Sequence, residues 1–437
     1  MPTWMVGIDV GSKSAHTAQV LDDEQRPVRK TKFSHAITEL EKFLNTMVSQ
    51  APQGTEFRFV LEPSGGVSKM LAYYLVDQGH AVFWAGAEQV KAMRAALGDK
   101  RRKTDRTDAL ALAHLGAHPE HLNRVVRPTG AHWEALRRGV KLEHKLAMLL
   151  GNVTKALKAA VDEAVPGLPA VLSDLDSPLT KAVYLHWTHA SRLARQTPEA
   201  LAEALERQSG KKVSLGLARE LVQLGQQAVA LGWIPAAPAS GLDTVISTEW
   251  KLLQTIRDAL ERVQERNYAL YRLLDPDGSV ESLPGVGRVA APAFLALAPL
   301  VQVLVHSRQL RDYSGWVPRV EASGLRKRHG RMSKAGPSWL KRILFLAADR
   351  ARHSDPQLAF IYYRAMVMKG APHAKAVCEV GVHLLDRIFT VLKEHRSYVL
   401  RNLEGQPITA ARARALAQQW KVPEEVRQRQ RRRNAAA

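Results

Sequence analysis

The stretch Met5-Val6-Gly7-Ile8-Asp9-Val10 predicts an apolar strand that carries its acidic residue at the end, and Gly11-Ser12-Lys13-Ser14 follows it as a turn. The alternation of residues 15–21 and 28–33 predicts two further strands, so the chain opens as an antiparallel meander. Spacing and turn residues then predict a helix at 37–47, a strand at 57–62, a helix at 67–77, a strand at 81–84 and a helix at 104–115. The resulting order, β-β-β-α-β-α-β-α, is that of an α/β domain.

Four carboxylates stand at positions that this domain can bring together. Asp9 ends the first strand, Glu62 ends the fourth, and Asp105 and Asp108 lie three residues apart on one helix face. Clustered carboxylates repel one another unless cations bind, and hard oxygen ligands favour Mg²⁺ or Mn²⁺. Two such ions can stabilise the attacking and leaving oxygens of a phosphodiester. The sequence therefore predicts a nuclease-type metal site, although Asp105 and Asp108 alone would also suit a helix dipole.

Basic residues surround the acidic pair of that helix. They are Lys100, Arg101, Arg102, Lys103 and Arg106, and their cations would hold DNA or RNA phosphates. The whole chain has 63 Lys and Arg against 42 Asp and Glu, which gives a formal charge of +21 and a pI near 10.1. This imbalance indicates a polyanionic partner, and nucleic acid is the partner we predict.

Length and composition exclude several classes of protein. A chain of 437 residues is long enough for two or three domains, and 46% hydrophobic and 24% charged residues are typical of a folded protein. The only cysteine, Cys378, excludes an intramolecular disulfide and indicates a reducing cytoplasm. Residues 289–305 are apolar but contain Pro292 and Pro299 and are too few to span a membrane. We therefore expect buried structure there, no signal peptide and no membrane partner.

The remainder of the chain is predicted to be mainly helical. Residues 131–165 form a long amphipathic pattern, and residues 242–274 could return antiparallel to it as a coiled coil or a dimerisation surface. We predict four regions: an N-terminal domain at 1–125, a helical middle at 126–279 with an insertion at about 165–245, a C-terminal domain at 280–400, and a basic tail at 401–437. Its final stretch, residues 427–433, is a run rich in arginine, and such stretches are usually solvated and disordered, although they add phosphate affinity.

A second candidate site lies in the C-terminal region. Leu283-Pro284-Gly285-Val286-Gly287 reads as a glycine turn that opens a helix, where free backbone N–H groups of Gly285 and Gly287 can receive a phosphate. Farther on, the small pair Ser323-Gly324 lies among many cations, which suits a held and attacked phosphodiester. These cations are Arg319, Arg326, Lys327, Arg328, Arg331 and Lys334. Composition alone favours a DNA-contact loop in which Ser323 only donates a hydrogen bond.

Two other patterns carry weaker predictions. Gly7-Ile8-Asp9-Val10-Gly11-Ser12 resembles the phosphate-binding turn of sugar kinases and related ATPases, but no second glycine turn or Walker A sequence accompanies it. His114, His118 and His121 have the spacing of helix-face metal ligands, but Pro119 interrupts that face. A surface cluster of histidines is the simpler interpretation.

Five ordered motifs resemble one known family, the DEDD-type transposases of insertion sequences, which are related to pilin-gene DNA invertases and act as bridge-RNA-guided serine recombinases. The resemblance covers roughly residues 4–125 and 280–395. The motifs are Gly7-Ile8-Asp9-Val10, Leu61-Glu62-Pro63-Ser64-Gly65, Lys103-Thr104-Asp105-Arg106-Thr107-Asp108-Ala109, Leu283-Pro284-Gly285-Val286-Gly287, and Gly315-Trp316-Val317-Pro318-Arg319 continued through Ser323-Gly324 to Gly336.

The resemblance implies a RuvC-like N-terminal domain of RNase H fold whose Asp9, Glu62, Asp105 and Asp108 bind Mg²⁺. It implies a C-terminal transposase domain whose serine, matched by Ser323, attacks DNA and becomes covalently joined to it. It further implies a coiled coil that mediates a homodimer, assembly of dimers into a tetramer, donor and target DNA as substrates, and a bridge RNA encoded beside the gene. The chain would act in a bacterial cytoplasm, at the nucleoid. Many relatives have two serines and two glycines where this chain has Ala322-Ser323-Gly324-Leu325.

The sequence therefore predicts a Mg²⁺-dependent, RNA-guided DNA recombinase. The nearest alternative is a metal-dependent nuclease or junction resolvase, in which water attacks and no covalent adduct forms. A non-catalytic nucleic-acid-binding repressor with a decayed site is a third possibility, and the presence of all four carboxylates argues against it.

Overall fold

The computed structural model describes residues 1–99, 103–122, 125–232, 241–323, 326–333 and 335–435. The chain divides into two compact units, Met1–Gly130 and Ala131–Ala437.

A five-stranded mixed sheet forms the centre of the first unit, with the strand order β3-β2-β1-β4-β5. The strands are β1 Thr3–Asp9, β2 His16–Leu21, β3 Pro27–Phe33, β4 Glu56–Leu61 and β5 Ala81–Trp84. β1 pairs antiparallel with β2 and parallel with β4, so it lies in the middle of the sheet and is buried along most of its length. All five strands predicted from periodicity are present, and the sheet is consistent with an RNase H-like domain.

Helices cover both faces of this sheet. They are α1 Ile37–Gln50, α2 Gly66–Asp77, α3 Ala87–Ala96 and α4 Asp105–Gly116. Phe43 of α1 packs with Phe33 on one face, whereas Leu112 of α4 and Val90 of α3 pack with Val60 on the other. The predicted order lacks α3 and is wrong there. Val90 is the one buried residue of that helix, so its sequence carries almost no apolar periodicity.

Two long helices, α5 Ala131–Ala164 and α11 Leu242–Leu274, run antiparallel through the second unit. Glu143 of α5 meets Gln264 and Asn267 near the end of α11, whereas Leu157 shares a core with Trp250 near its beginning. Among the described residues between them, the shorter helices that contribute to that core are α6 Leu168–Val171, α7 Pro178–His186, α8 Ala190–Ala194, α9 Pro198–Ser209 and α10 Leu215–Ala230. The two predicted long helices are therefore present, and α11 runs antiparallel to α5 in the same chain as predicted.

The rest of the second unit is mostly helical, as predicted. It contains α12 Ala290–Leu295, α13 Ala298–Val301, α14 Ser307–Ser314, β6 Pro318–Ser323, β7 Arg326–Met332, α15 Ser338–Ala351, α16 Pro356–Tyr363 and α17 His373–Glu394, with a 3-10 turn at Val280–Ser282 and a π-helical turn at Arg364–Met368. Residues predicted to be buried at 289–305 lie largely in α12 and α13, whose Ala291 and Val301 are fully buried. Across the described residues, no helix has the length and apolar character needed to cross a bilayer.

The segment predicted to be a basic tail contains two helices, α18 Ala410–Gln419 and α19 Glu424–Ala435. The expectation of disorder at residues 427–433 is therefore wrong, because they lie in α19. Val422 is buried in the C-terminal core, and the Gln430 side-chain amide donates to the carbonyl of Ala371 at 2.6 Å. These contacts hold α19 against the unit despite its many arginines.

Candidate active site

The ends of two parallel strands place Asp9 and Glu62 side by side. Ile8 of β1 is the register partner of Leu61 of β4, so the next residues along the two strands are Asp9 and Glu62. Aligned residues of neighbouring parallel strands point to the same face of a sheet. The two carboxylates therefore leave the sheet together at its carboxyl edge.

Helix α4 brings the other two carboxylates to the same edge. Thr104 caps the helix, because its hydroxyl accepts the N–H of Thr107, and Asp105 and Asp108 occupy the first turn. The helix can lie directly on β1 because Gly7 has no side chain, and a Cβ atom there would stand 2.1 Å from the carbonyl oxygen of Ala109. Asp108 is buried and Asp105 is exposed.

The charges of the other three carboxylates act on Asp9. The pKa of Asp9 is raised from 3.8 to about 6, first by burial and then by the negative charges of Asp105, Asp108 and Glu62. Lys103 acts in the opposite direction. A site that raises the pKa of one carboxylate through three others has an excess of negative charge, which a bound cation would relieve.

One contact of this site has no signal in the sequence. The Nε of Arg94, near the end of α3, lies 2.8 Å from Oδ1 of Asp108, and the two side chains are only 14% and 10% exposed. Arg94 belongs to the helix that periodicity does not predict, and it lies outside every motif considered. Nothing in the sequence therefore marks it as a partner of the acidic pair.

The predicted metal site is not preformed. In the described part of the chain, no three His, Cys, Asp or Glu side chains are grouped as a ligand set for a metal ion. Arg94 contacts Asp108, one of the four carboxylates of the predicted site. The chemistry of the donors nevertheless fits, since four carboxylates offer the hard oxygen ligands that Mg²⁺ and Mn²⁺ prefer.

The basic residues and the histidines singled out in the sequence around α4 differ in how far the structure describes them. Lys103 and Arg106 are exposed beside the acidic pair, whereas Lys100, Arg101 and Arg102 lie outside the described residues. The ring of His114 contacts the side-chain oxygen of Gln25 at 3.2 Å, and that of His118 contacts Glu120 at 3.3 Å. The side chain of His121 is also outside the described part.

Ser323 ends β6 at the tip of a two-stranded hairpin. Its register partner is Arg326, the first residue of β7, and Gly324 and Leu325 between them lie outside the described residues, as does Lys334. The strand β7 also contains Lys327, Arg328 and Arg331, and Arg319 lies near the beginning of β6. The segment interpreted from composition as a possible loop is thus built of strands, with Ser323 at the turn.

The base of this hairpin is held by several close contacts. The indole N–H of Trp316 donates to the carbonyl of Cys378 at 2.8 Å. A Cβ atom on Gly381 would lie 2.8 Å from the same indole ring. The Ser333 N–H donates to the Val317 carbonyl, and the Lys341 Nζ donates to the Ser333 carbonyl at 3.2 Å. The hairpin is therefore tied to α15 and α17 at its base.

The glycine turn before α12 has a packing role of its own. Gly285 has φ of +74°, and a Cβ atom there would lie 2.3 Å from the carbonyl oxygen of Ala347 in α15. The carbonyl of Gly287 accepts the N–H groups of Ala290 and Ala291 and so opens α12. The predicted turn is present, and close packing is enough to account for Gly285.

Comparison with known proteins gives two domain matches in one order. Residues 6–166 match the IS110-type DEDD transposase domain, and residues 278–363 match a domain described as "Transposase IS116/IS110/IS902 family". Over 405 residues the chain is 23% identical to the "Insertion element IS116 uncharacterized 44.8 kDa protein" of Streptomyces clavuligerus, a match that covers 90% of this chain and 95% of that protein. A shorter match, 29% identical over 128 residues, joins 26% of this chain to 38% of a "Probable family 20 transposase" of Pseudomonas aeruginosa.

The match over residues 6–166 defines the class as that of the DEDD-type transposases. Both domain matches, together with the IS116 relative, indicate an IS110/IS116-type transposase of an insertion sequence. The resemblance read from the motifs is confirmed at the level of this family.

Proposed function

We propose that this transposase cuts and rejoins DNA by a metal-dependent reaction that passes through a covalent phosphoserine. The observation that carries the proposal is the alignment of Asp9 with Glu62 beneath the acidic first turn of α4, together with the pKa of Asp9, which is raised by burial and then by the other three carboxylates. Such an arrangement concentrates negative charge at one edge of the sheet.

Asp9, Glu62, Asp105 and Asp108 are the residues that would hold Mg²⁺ or Mn²⁺. A bound divalent cation would supply positive charge beside the phosphodiester, whose negative charge increases in the transition state. The exposed Lys103 and Arg106 beside the acidic pair bind the DNA backbone on either side. The sequence position of Lys100, Arg101 and Arg102 supports the same role.

In this proposal Ser323 is the nucleophile. Its hydroxyl oxygen attacks the phosphorus, the bond from phosphorus to the 3′ or 5′ leaving oxygen breaks, and the hydroxyl proton leaves to solvent while the leaving oxygen takes one up. Attack by a free DNA hydroxyl reverses the same steps and rejoins the strand. The position of Ser323 at a hairpin turn supports access, and the cationic sequence of β7 supplies charge for the phosphate.

The second candidate function is hydrolysis by a metal-dependent nuclease or junction resolvase. It uses the same carboxylates but activates water, so it needs no serine and leaves no covalent adduct. The absence of a preformed ligand set among the described residues affects both candidates equally.

One experiment separates these two reactions. Purified protein is mixed with Mg²⁺, labelled donor and target DNA and RNA transcribed from the segment beside the gene, and the products are examined for a denaturation-resistant protein–DNA adduct. We expect an adduct with the wild type and none with Ser323→Ala or Asp105→Ala. Free cleaved ends that persist in Ser323→Ala but disappear in Asp105→Ala would establish hydrolysis instead.

The partners of the reaction are also proposals. We propose that a bridge RNA pairs with donor and target DNA, and that the transposase acts as a homodimer that assembles into a tetramer. Omission of the RNA should abolish adduct formation at the correct site, and light scattering of the complex with and without RNA and DNA should give the masses of two and four chains.

A further inference from the structure

The strongest unexplained feature of the candidate metal site is Arg94. Its Nε lies 2.8 Å from Oδ1 of Asp108, and both atoms are shielded from solvent. A guanidinium group stays charged at any pH that the protein encounters, so Asp108 faces a permanent positive charge. A fixed cation thus already occupies one of the four carboxylates proposed to hold a divalent ion.

The contact between these two side chains is close but poorly aligned. Neither the Nε of Arg94 nor the Oδ1 of Asp108 makes a hydrogen bond of acceptable geometry within the described residues, although they are 2.8 Å apart. Charge attraction therefore holds these two atoms together without a well-directed hydrogen bond between them. A competing cation would have to overcome this attraction.

We propose that Arg94 is a positioning residue that holds Asp108 in the metal-free protein and competes with the divalent cation for it. The four-carboxylate site is then completed only when Asp108 leaves Arg94. This inference rests on the proposed function and adds to it a control on metal binding. The contact that supports it is that of Oδ1 of Asp108 with Nε of Arg94 at 2.8 Å.

The opposite role would be structural support, in which Arg94 holds Asp108 in its metal-binding orientation. The two roles predict opposite changes when the charge is removed. Competition predicts that a neutral residue at position 94 strengthens cation binding, because the rival charge and its repulsion of the cation are lost. Support predicts that the same change weakens cation binding.

Binding of Mn²⁺ to the full chain tests this directly, since electron paramagnetic resonance counts free Mn²⁺ without requiring activity. We expect Arg94→Gln to bind Mn²⁺ at least roughly tenfold more tightly than the wild type. Arg94→Met, which keeps the apolar stem of the side chain, serves as a second neutral variant, and circular dichroism checks that each variant folds. In an Asp108→Asn background, Arg94→Gln should strengthen Mn²⁺ binding much less, because only the repulsion between Arg94 and the cation is then removed.

A matched control is Arg58→Gln. Arg58 is also partly buried in the first unit and contacts the same helix, since it donates to the carbonyl of Gly116 at the end of α4. We expect this variant to bind Mn²⁺ as the wild type does.

The outcomes separate this inference from the proposed function. In one outcome Asp105→Asn abolishes Mn²⁺ binding, but neutral residues at position 94 leave that binding unchanged or weaken it. This outcome overturns the role of Arg94 and leaves the metal site in place. A complete lack of Asp105-dependent binding in the wild type and in both neutral variants overturns the metal site and the role of Arg94 together.

Discussion

Gly7 in β1 and Ala109 in α4 approach so closely that a Cβ atom on Gly7 would lie 2.1 Å from the carbonyl oxygen of Ala109. This contact brings the helix that carries Asp105 and Asp108 onto the strand that ends at Asp9. The distance between the two backbones is therefore a property of the active site as well as of the core. It explains why a glycine stands two residues before the first carboxylate.

The first prediction concerns this glycine. Gly7→Ala must push α4 away from β1, because the added methyl group meets backbone atoms that cannot rotate aside. We expect a loss of about 3 kcal/mol in the free energy of unfolding and a loss of Mn²⁺ binding. Urea unfolding followed by circular dichroism measures the first, and paramagnetic resonance measures the second.

The control for this variant is Gly151→Ala in α5, where no atom lies within 4 Å of the added methyl group. Alanine favours a helix over glycine by up to about 1 kcal/mol, so this variant should be as stable as the wild type or more stable. A Gly7→Ala protein with wild-type stability would show that the approach of α4 to β1 is not fixed by Gly7.

The second prediction concerns the pH dependence of stability. The pKa of Asp9 is about 6 in the fold against 3.8 for an ordinary aspartate, so the folded state binds the proton more tightly than the unfolded state. The stability contributed by this group is present below about pH 4 and is lost as the pH rises through about 6. In the absence of metal at pH 8, the free energy of unfolding of Asp9→Asn should therefore exceed that of the wild type by about 1–2 kcal/mol, after allowance for solvent screening.

Metal ions should reverse this order. Because the proton must leave Asp9 before an ion can bind, Mg²⁺ should stabilise the wild type more at pH 8 than at pH 5. Asp9→Asn should gain little from Mg²⁺ at either pH and should form no DNA adduct. Equal melting temperatures of the two proteins in chelator at pH 8 would contradict the crowding of charge around Asp9.

The third prediction concerns the polar contact inside the long helix pair. Glu143 accepts hydrogen bonds from Asn267 at 2.8 Å and Gln264 at 3.2 Å, and burial raises the pKa of its carboxyl group. A Cβ atom on Gly139 would lie 1.9 Å from the side-chain oxygen of Asn267. Gly139 and Asn267 therefore fit each other, and their substitutions should not be additive.

A double-mutant cycle measures this coupling. Gly139→Ala should destabilise the protein by a clash, and Asn267→Ala should destabilise it because buried Glu143 loses a donor. The double variant should be more stable than the sum of the two losses predicts, by at least about 1 kcal/mol, since the shorter side chain at position 267 leaves room for the methyl group. Additive losses would show that the two positions are independent.

The sequence predicted the strands and the long helices well, because their burial follows a regular period. It missed α3, since only Val90 of that helix is buried, and with it Arg94. The pairing of Arg94 with Asp108 depends on how α3 and α4 pack, which no local pattern encodes. The hairpin containing Ser323 was also missed, because its strands are dominated by charged residues and lack the apolar alternation by which strands are recognised.

The helices at the end of the chain were obscured for a related reason. A run of arginines indicates a solvated segment, whereas burial of Val422 and the amide contact of Gln430 anchor α19. Single contacts of this kind are decisive for structure and leave no periodic signal. The order of carboxylates along the chain, by contrast, could be interpreted because strand ends and helix starts are predictable positions.

The last prediction concerns the base of the hairpin that carries Ser323. A methyl group on Gly381 would lie 2.8 Å from the indole ring of Trp316, and that ring is 4% exposed with its N–H bound to the Cys378 carbonyl. Gly381→Ala must therefore displace Trp316, and with it the strand that begins two residues later at Pro318. We expect the rate of DNA adduct formation to fall at least roughly tenfold, since an error of about 1 Å at a reacting group can cost more than that.

Binding of Mn²⁺ separates this effect from general unfolding. The carboxylates belong to the first unit, so Gly381→Ala should bind Mn²⁺ as the wild type does while its adduct formation falls. Gly151→Ala again serves as a control, because it adds the same methyl group to a helix of the same unit without meeting any atom within 4 Å. Adduct formation at the wild-type rate in Gly381→Ala would mean that the position of Ser323 does not depend on Trp316.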